Sequence, residues 1–272
     1  MSGSTHRLDV ELVARSLARS RGQARDLVKA GSVLLDGSPA RKVSTPVSAD
    51  QSLELASGVE GWVSRAAYKL GAAFAAFGPD GLSVADKRCF DVGACTGGFT
   101  QVLLREGARE VVALDVGHGQ LAEEIAGDPR VIERSSINIR DAREEDLGGL
   151  AELVVADLSF ISLRLVLPVL RDLVEPTGDL VLLVKPQFEV GRERLGKGGV
   201  VRSARDRAMV IEEVVAAATT VGLNTRALRG SPIRGATGNA EYLLWLTPRP
   251  DEGLTTAQVT ELAATLSTEA LT

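Results

Sequence analysis

A chain of 272 residues suits one large domain or two unequal ones, and 44% hydrophobic with 25% charged residues is the balance of a protein with a real core. A formal charge of -5 argues against nucleic-acid binding through bulk positive charge, while two cysteines (Cys89, Cys95) and two histidines distant from them (His6, His118) exclude a disulfide framework and a Cys/His zinc site, so no metal is expected. No run approaches the roughly 20 apolar residues of a membrane span and Met1–Arg7 lacks a signal peptide's apolar core, so a soluble cytoplasmic protein is expected.

Charge is unevenly spread. Residues 1–42 carry eight basic residues and four acids, net +4, which leaves -9 for residues 43–272. In this basic module Asp9 reads as the cap of a helix with Val10, Val13 and Leu17 on its apolar face. Ser20 reads as the cap of a second helix, with Ala24, Leu27 and Val28 inside and Gly31 as its stop. Val33–Leu35 reads as a strand and Asp36-Gly37 as a type I′ turn. Arg21, Arg25 and Lys29 follow at steps of four along the second helix, with only Asp26 interrupting the stripe, and Arg15 and Arg19 do the same on the first.

A helix pair, then a hairpin, with one cationic face resembles the alpha-L RNA-binding domain, over Arg7 to Leu55 and most clearly in "ARSRGQARDLVKAGSVLLDG". The resemblance implies a module that grips phosphates and recognises RNA shape. Its expected RNA contacts are Arg7, Arg15, Arg19, Arg21, Arg25, Lys29, Arg41 and Lys42, with Arg65 beyond. The predicted organisation is an RNA-binding domain at 1–57, a glycine-containing linker at 58–63, a catalytic domain at 64–250 and a C-terminal helix within 251–272. Trp62 reads either as an anchor in the second domain's core, the default, or as an interdomain contact.

From Arg88 onward short β-rich runs alternate with helical ones, as in a doubly wound α/β sheet. Strands are predicted at Cys89–Val92, Val111–Leu114 closing on Asp115, Val131-Ile132, Leu153–Ala156, Leu180–Val184 and Tyr242–Leu246. A helix is predicted over 204–221, with Ser203 and Asp206 spaced as a capping box, and another over Thr256–Leu266. The ligand crevice should lie past the C-terminal ends of the central strands. There the glycines fall as G-x-x-x-G-G (Gly93, Gly97, Gly98), not as the G-x-G-x-x-G of a dinucleotide site, and the first strand ends in an acid, Asp91, which would repel a pyrophosphate. Asp91 could instead meet an ammonium, and Asp115 could accept both ribose hydroxyls. That combination describes S-adenosylmethionine. Its expected contacts are Asp91, Gly93, Cys95, Thr96, Gly97, Gly98, Phe99, Asp115, Asn138 and Asp157.

"WVSRAAYKL", "FDVGACTGGFTQVLL", "DVGHGQLA", "VVADLSFISL", "LVKPQFEVGRE" and "GNAEYLLWL" closely resemble the TlyA family of ribosomal RNA 2′-O-methyltransferases, with a catalytic part similar to the wider FtsJ-type enzymes. Cys95 stands where that family leads one to expect serine. The resemblance implies a Rossmann-like methyltransferase sheet of seven strands, the last ones mixed, behind a small α+β RNA-binding domain. It also implies a Lys-Asp-Lys-Glu tetrad, whose matching positions are Lys69, Asp157, Lys185 and Glu241. A ribose 2′-hydroxyl is a weak nucleophile, so such an enzyme must align oxygen with the methyl carbon and remove one proton. An amine with a free pKa of about 10.4 is a poor base until its surroundings change it. Lys185 is the expected base, the acids orient the lysines, and Lys69 positions the hydroxyl. The implied substrate is cytidine in 16S and/or 23S ribosomal RNA, the implied consequence is susceptibility to capreomycin-type antibiotics, and the expected state is a monomer. Competing readings are a non-catalytic ribosome assembly factor, opposed by the intact tetrad, and a haemolysin-like membrane-active protein, opposed by the absence of a long amphipathic basic helix.

Overall fold

The computed structural model describes residues 5–18, 20–29, 31–55, 61–196, 198–250 and 252–269, and of Asp26 and Lys29 the backbone alone. The chain divides into two compact units, Met1–Arg65 and Ala66–Thr272.

The first unit contains β1 (His6–Arg7), α1 (Leu8–Ala14), α2 (Arg21–Lys29), β2 (Val33–Leu35), β3 (Ser38–Pro39), β4 (Pro46–Val47) and β5 (Leu53–Leu55). Strands β3, β2 and β5 form one antiparallel sheet, and β1 pairs with β4. Asp36 and Gly37 both have positive φ, as the type I′ turn requires, and bring Leu35 opposite Ser38. Ser20 caps α2 by accepting from Gln23 N at 3.2 Å. Asp9, by contrast, is no cap. Arg7 occupies the N-cap of α1, and Asp9 lies inside the helix with its side chain wholly covered. This shift turns the apolar face: Leu8 and Leu12 are fully buried against Ala24, Val28 and Val33, while Val13 and Leu17 pack at the margin. Trp62 also departs from its default reading. It falls in this unit, half-buried, and its carbonyl accepts from Gln23 Nε2 at 2.9 Å. Half of the predicted linker, residues 58–60, lies outside the described residues, and residues 61–63 fall in the first unit.

The second unit runs α3 (Ala66–Phe77), β6 (Arg88–Val92), α4 (Gly98–Arg105), β7 (Glu110–Asp115), α5 (Glu123–Ala126), β8 (Val131–Ser135), α6 (Glu144–Leu147), β9 (Ala151–Ala156), α7 (Leu167–Asp172), β10 (Val174–Val184), α8 (Pro186–Glu189), α9 (Ala204–Thr220), β11 (Asn224–Gly230), β12 (Tyr242–Thr247) and α10 (Thr256–Glu269). The seven strands stand in the order β11-β12-β10-β9-β6-β7-β8. Strands β10, β9, β6, β7 and β8 are parallel, and β12 is antiparallel to both of its neighbours. The chain winds outward from β6 to β8, then returns to the other side of β6 with β9. Crossover loops therefore diverge above β6 and β9 and leave a crevice there. The central strands are buried along nearly their whole length, as a sheet covered on both faces demands.

The strand readings hold, with β8 longer than its two apolar residues announced. The seventh strand, β11, was not placed from sequence. Its Thr225, Ala227 and Leu228 are buried, while Arg226 lies over the Trp245 ring at 4.8 Å and so disguises an edge strand as a polar run. Ser203 caps α9 by accepting from Asp206 N at 3.1 Å, and α10 packs on α9. Among the described residues no helix is long and apolar enough to cross a membrane.

Candidate active site

Four charged side chains far apart in sequence converge at one edge of the sheet. Lys69 lies in the first turn of α3, Asp157 directly follows β9, Lys185 directly follows β10, and Glu241 directly precedes β12. Because β12 runs against β10, with Tyr242 opposite Val184, the residue that starts one strand sits beside the residue that ends the other. Lys69 Nζ lies 2.7 Å from Glu241 Oε2 and 3.1 Å from Asp157 Oδ2. Asp157 Oδ1 lies 2.6 Å from Lys185 Nζ, which also donates to Ser159 Oγ at 3.0 Å. None of the four side chains is more than 13% exposed. Alternating signs make the string neutral overall, which is what allows it to be buried. Burial alone would raise the Asp157 carboxyl, but Lys69 and Lys185 on either side outweigh it and hold it below the ordinary carboxylate range. Asp157 thus fixes both lysines, one on each oxygen.

Two further residues shape this string. A Cβ on Gly235 would lie 2.5 Å from Glu241 Oε1, so a larger residue in the loop before β12 would have to displace that carboxylate. Asn239, buried, accepts from Val201 N at 2.9 Å and donates to Gly199 O at 2.8 Å, tying the glycine-rich 196–203 segment to the entry of β12. Beyond Glu241 opens a cleft of about 510 Å³, lined by Ala72, Ala76, Arg229, Ser231, Arg234 and Tyr242 among others. On the opposite side Phe160, 91% exposed and with a φ of 64°, lies 5.2 Å from the Phe188 ring, over which Lys185 Nζ sits at 5.9 Å.

The glycine turn after β6 faces the same edge. Gly93 has a φ of +84°, and a Cβ there would stand 3.2 Å from Asp157 O, so this turn packs backbone against backbone. Gly97 is the N-cap of α4, with Gly98 and Phe99 buried in its first turn, and Thr96 O accepts from Ala122 N at 3.2 Å. Cys95 is exposed with a φ of 49°. Asp115 braces the turn: Oδ2 accepts from Cys95 N at 2.8 Å, and Oδ1 accepts from Gly117 N at 2.7 Å and from Gln120 Nε2 at 3.3 Å. Asp91 is fully buried, and its Oδ2 accepts from Thr100 N at 2.8 Å and Thr100 Oγ1 at 2.6 Å, whereas its Oδ1 has no hydrogen-bond partner. Burial pushes the Asp91 carboxyl up to about 7, against the opposing pull of the Thr100 hydrogen bonds. Asn138 follows Ile137, whose N donates to Asp115 O at 3.1 Å. Asn138 itself caps a short 3-10 turn by accepting from Arg140 N at 3.1 Å, and the narrow crevice beside Asp115 is lined by Ala94, Cys95, Gln120, Glu133 and Ser135 among others.

The cationic stripe of the first unit is less free than its sequence indicates. Arg15 is pinned by Glu11 at 2.8 Å and by the carbonyls of Gln51 and Ser48 at 2.6 and 2.9 Å, so it staples α1 to the loop before β5. Arg7, Arg21 and Arg25 gather on Asp9, which therefore compensates the second stripe from the neighbouring helix. Arg41 and Lys42 are exposed, and Arg65 is half-buried. Arg19 and the Lys29 side chain lie outside the described residues. Sequence reasoning missed Ser159, Thr100, Gln120, Gly235 and Asn239. Of these all but Gly235 stood inside motifs already singled out: Thr100 in "FDVGACTGGFTQVLL", Gln120 in "DVGHGQLA", Ser159 in "VVADLSFISL" and Asn239 in "GNAEYLLWL".

Residues 62–247 match the FtsJ-like methyltransferase family and residues 6–53 the S4 domain. The chain is 49% identical over 249 residues to the 16S/23S rRNA (cytidine-2′-O)-methyltransferase TlyA of Mycobacterium tuberculosis, covering 91% of this chain and 92% of that one. It is 35% identical over 238 residues to hemolysin A of Brachyspira hyodysenteriae, covering 87% and 98%. Among solved structures, a hemolysin-named protein of Streptococcus thermophilus superposes with a TM-score of 0.73 at 37% identity, covering 98% of both chains.

Two outcomes follow from the burial of these charges. Lys69→Met strands Glu241 without a counter-charge and should cost about 3–5 kcal/mol in chemical denaturation, while Lys69→Met with Glu241→Gln should cost less than Lys69→Met alone. Equal or greater loss in the double variant would show that the ion string is not what holds this edge. Asp91 gives a pH signature. With its folded pKa raised to about 7, the native state holds a proton that the unfolded chain has released between about pH 4 and pH 7, so stability falls as pH rises through that window. Asp91→Asn, which keeps an acceptor for Thr100, should remove that slope (at most about 1.4 kcal/mol per pH unit) and melt above the parent at pH 8. Parallel melting curves from pH 5 to 8 would refute the assignment.

Proposed function

Because this chain belongs to the FtsJ-like methyltransferase family and carries an S4 domain ahead of it, we propose that it methylates the ribose 2′-hydroxyl of cytidine in 16S and/or 23S ribosomal RNA, with S-adenosylmethionine as donor and Lys185 as base. The observation that carries the reading is the buried Glu241–Lys69–Asp157–Lys185 string at the ligand-facing edge of the sheet. The name borne by the mycobacterial relative supports the nucleotide and the RNA.

The residues present fit the donor. Asp91 Oδ1 is buried without a hydrogen-bond partner among the described residues, and once this carboxyl, raised to about 7, gives up its proton it offers an ammonium an acceptor and a counter-charge. Cys95, Thr96, Gly97, Gly98 and Phe99 form a turn whose backbone a ligand can approach closely, and Asp115 retains a lone pair on Oδ2 for a ribose hydroxyl. Asn138, committed to Arg140 N, is the least suited of the expected contacts. S-adenosylmethionine supplies a methyl already activated by its positive sulfur.

What remains for the protein is alignment and one proton. Asp157 aims Lys185 from Oδ1 and Lys69 from Oδ2, so the two amines keep a fixed separation. Lys185 Nζ, as the neutral amine left once its ammonium proton has passed to solvent, would accept the hydroxyl proton, and Lys69, anchored by Glu241, would hold the sugar oxygen's position through its charge. The Phe160 ring, outside the fold and backed by Phe188, offers a face on which a flipped cytosine stacks. The S4 unit grips the surrounding phosphates. Cells carrying the activity are expected to be susceptible to capreomycin-type antibiotics.

Lys185→Ala should lower the methyl-transfer rate about 10²–10⁴-fold while leaving RNA binding intact. Phe160→Ala should weaken turnover at low RNA by about 10–100-fold, the worth of one stacked base. Mass mapping of ribosomal RNA from cells with and without the gene reads both: a 2′-O-methyl cytidine present only with the intact protein is expected. Its persistence with Lys185→Ala would overturn the base assignment.

A further inference from the structure

Arg7, Arg21 and Arg25 converge on a single acid inside the first unit. Arg7 Nε donates to Asp9 Oδ1 at 3.0 Å, Arg21 donates to Oδ2 through Nε at 3.1 Å and Nη2 at 2.9 Å, and Arg25 Nε stands 3.9 Å from the same oxygen. The three arginine side chains are 51%, 54% and 53% exposed, whereas that of Asp9 is 0% exposed. Asp9 is thus covered by the very groups it holds. Arg7 and Arg21 are hydrogen-bonded to the carboxylate and Arg25 is paired with it by charge at 3.9 Å, and each half-exposed guanidinium has further N–H groups to offer an anion. Three positive charges against one negative leave the patch at +2.

We propose that Asp9 is the positioning residue of the RNA-gripping surface: it locks Arg7, Arg21 and Arg25 into one preorganised fork for consecutive backbone phosphates, so that a negative charge raises affinity for a polyanion. This rests on the reading of the first unit as an RNA-binding module. A free arginine surrenders rotamer freedom when it is fixed on a ligand, and side chains already held in place surrender less. Geometry also matters because a guanidinium recognises phosphate through paired N–H groups in a plane, which an ammonium cannot do. The carboxyl stays ionised: burial would raise it, but the hydrogen bonds from Arg7 and Arg21 draw it below its ordinary range.

The sign of the effect separates this role from bulk electrostatics. Asp9→Asn removes a negative charge from a cationic surface, and charge counting alone makes RNA binding tighter. Loss of the fork makes it weaker. The test measures equilibrium binding of the full chain to unmodified 16S and 23S ribosomal RNA transcripts over a salt series, with Glu54→Gln, at an exposed acid of the same unit, as the charge control. Asp9→Asn should weaken binding about tenfold and flatten the salt slope by about one phosphate contact, while Glu54→Gln leaves binding equal or tighter. The KM for RNA should rise with kcat unchanged. Binding by Asp9→Asn at or above the parental level would overturn the proposal. Should Asp9→Asn melt in circular dichroism, Arg21→Lys with Arg25→Lys decides, since it keeps every charge and removes the forks. A loss of about fivefold or more supports the proposal, and parental affinity overturns it. Failure of the parent chain to bind either transcript would instead overturn the RNA-binding reading on which the proposal stands.

Discussion

Everything at the reactive edge depends on keeping two ammoniums and two carboxylates out of water together. Any one of the four, buried alone, would be an isolated ion in a poor dielectric. Placed in the order Glu241, Lys69, Asp157, Lys185, each interior member has a counter-charge on both sides, and the end lysine gains the hydroxyl of Ser159. The string is therefore a structural clasp. It joins α3, β9, β10 and β12, elements drawn from most of the length of the second unit.

The sheet topology supplies the positions and small residues supply the clearance. Parallel β9 and β10 end at the edge where the crevice lies, and antiparallel β12 begins there, so one reversed strand lets an acid come before its strand rather than after it. Gly93 and Gly235 then let two loops approach at backbone distance, one onto Asp157 and one onto Glu241. At the glycine turn Asp115 spends its carboxylate on main-chain donors from Cys95 and Gly117, and Asp91 spends half of its own on Thr100. Both acids are thus braces of the turn as well as potential partners of a ligand. Fixed acceptors of this kind need little reorganisation when a cation arrives.

Much of this was legible in the chain itself, for a physical reason. Asp157 and Lys185 stand at the ends of long apolar runs, and the end of a buried parallel strand is a predictable place. The turn at Asp36-Gly37 and the caps at Ser20 and Ser203 are local chemistry and survive without tertiary context. What could not be read was non-local. Arg15 belongs by spacing to a cationic stripe, but its partners are Glu11 and the carbonyls of residues 48 and 51. Asp9 has the position of a cap, yet the arginines of the next helix draw it inside. Strand β11 hides behind Arg226, whose aliphatic stem and guanidinium cover Trp245 and pass for a solvated run.

The reversed last strand has a consequence for biosynthesis. Glu241 is the final member of the clasp to leave the ribosome, long after Lys69 has been made. Until β12 inserts between β10 and β11, Lys69 has a single carboxylate for company, and the sheet lacks the strand that joins its edge to its centre. A polypeptide that stops before β12 accordingly lacks both Glu241 and the strand that joins β11 to β10.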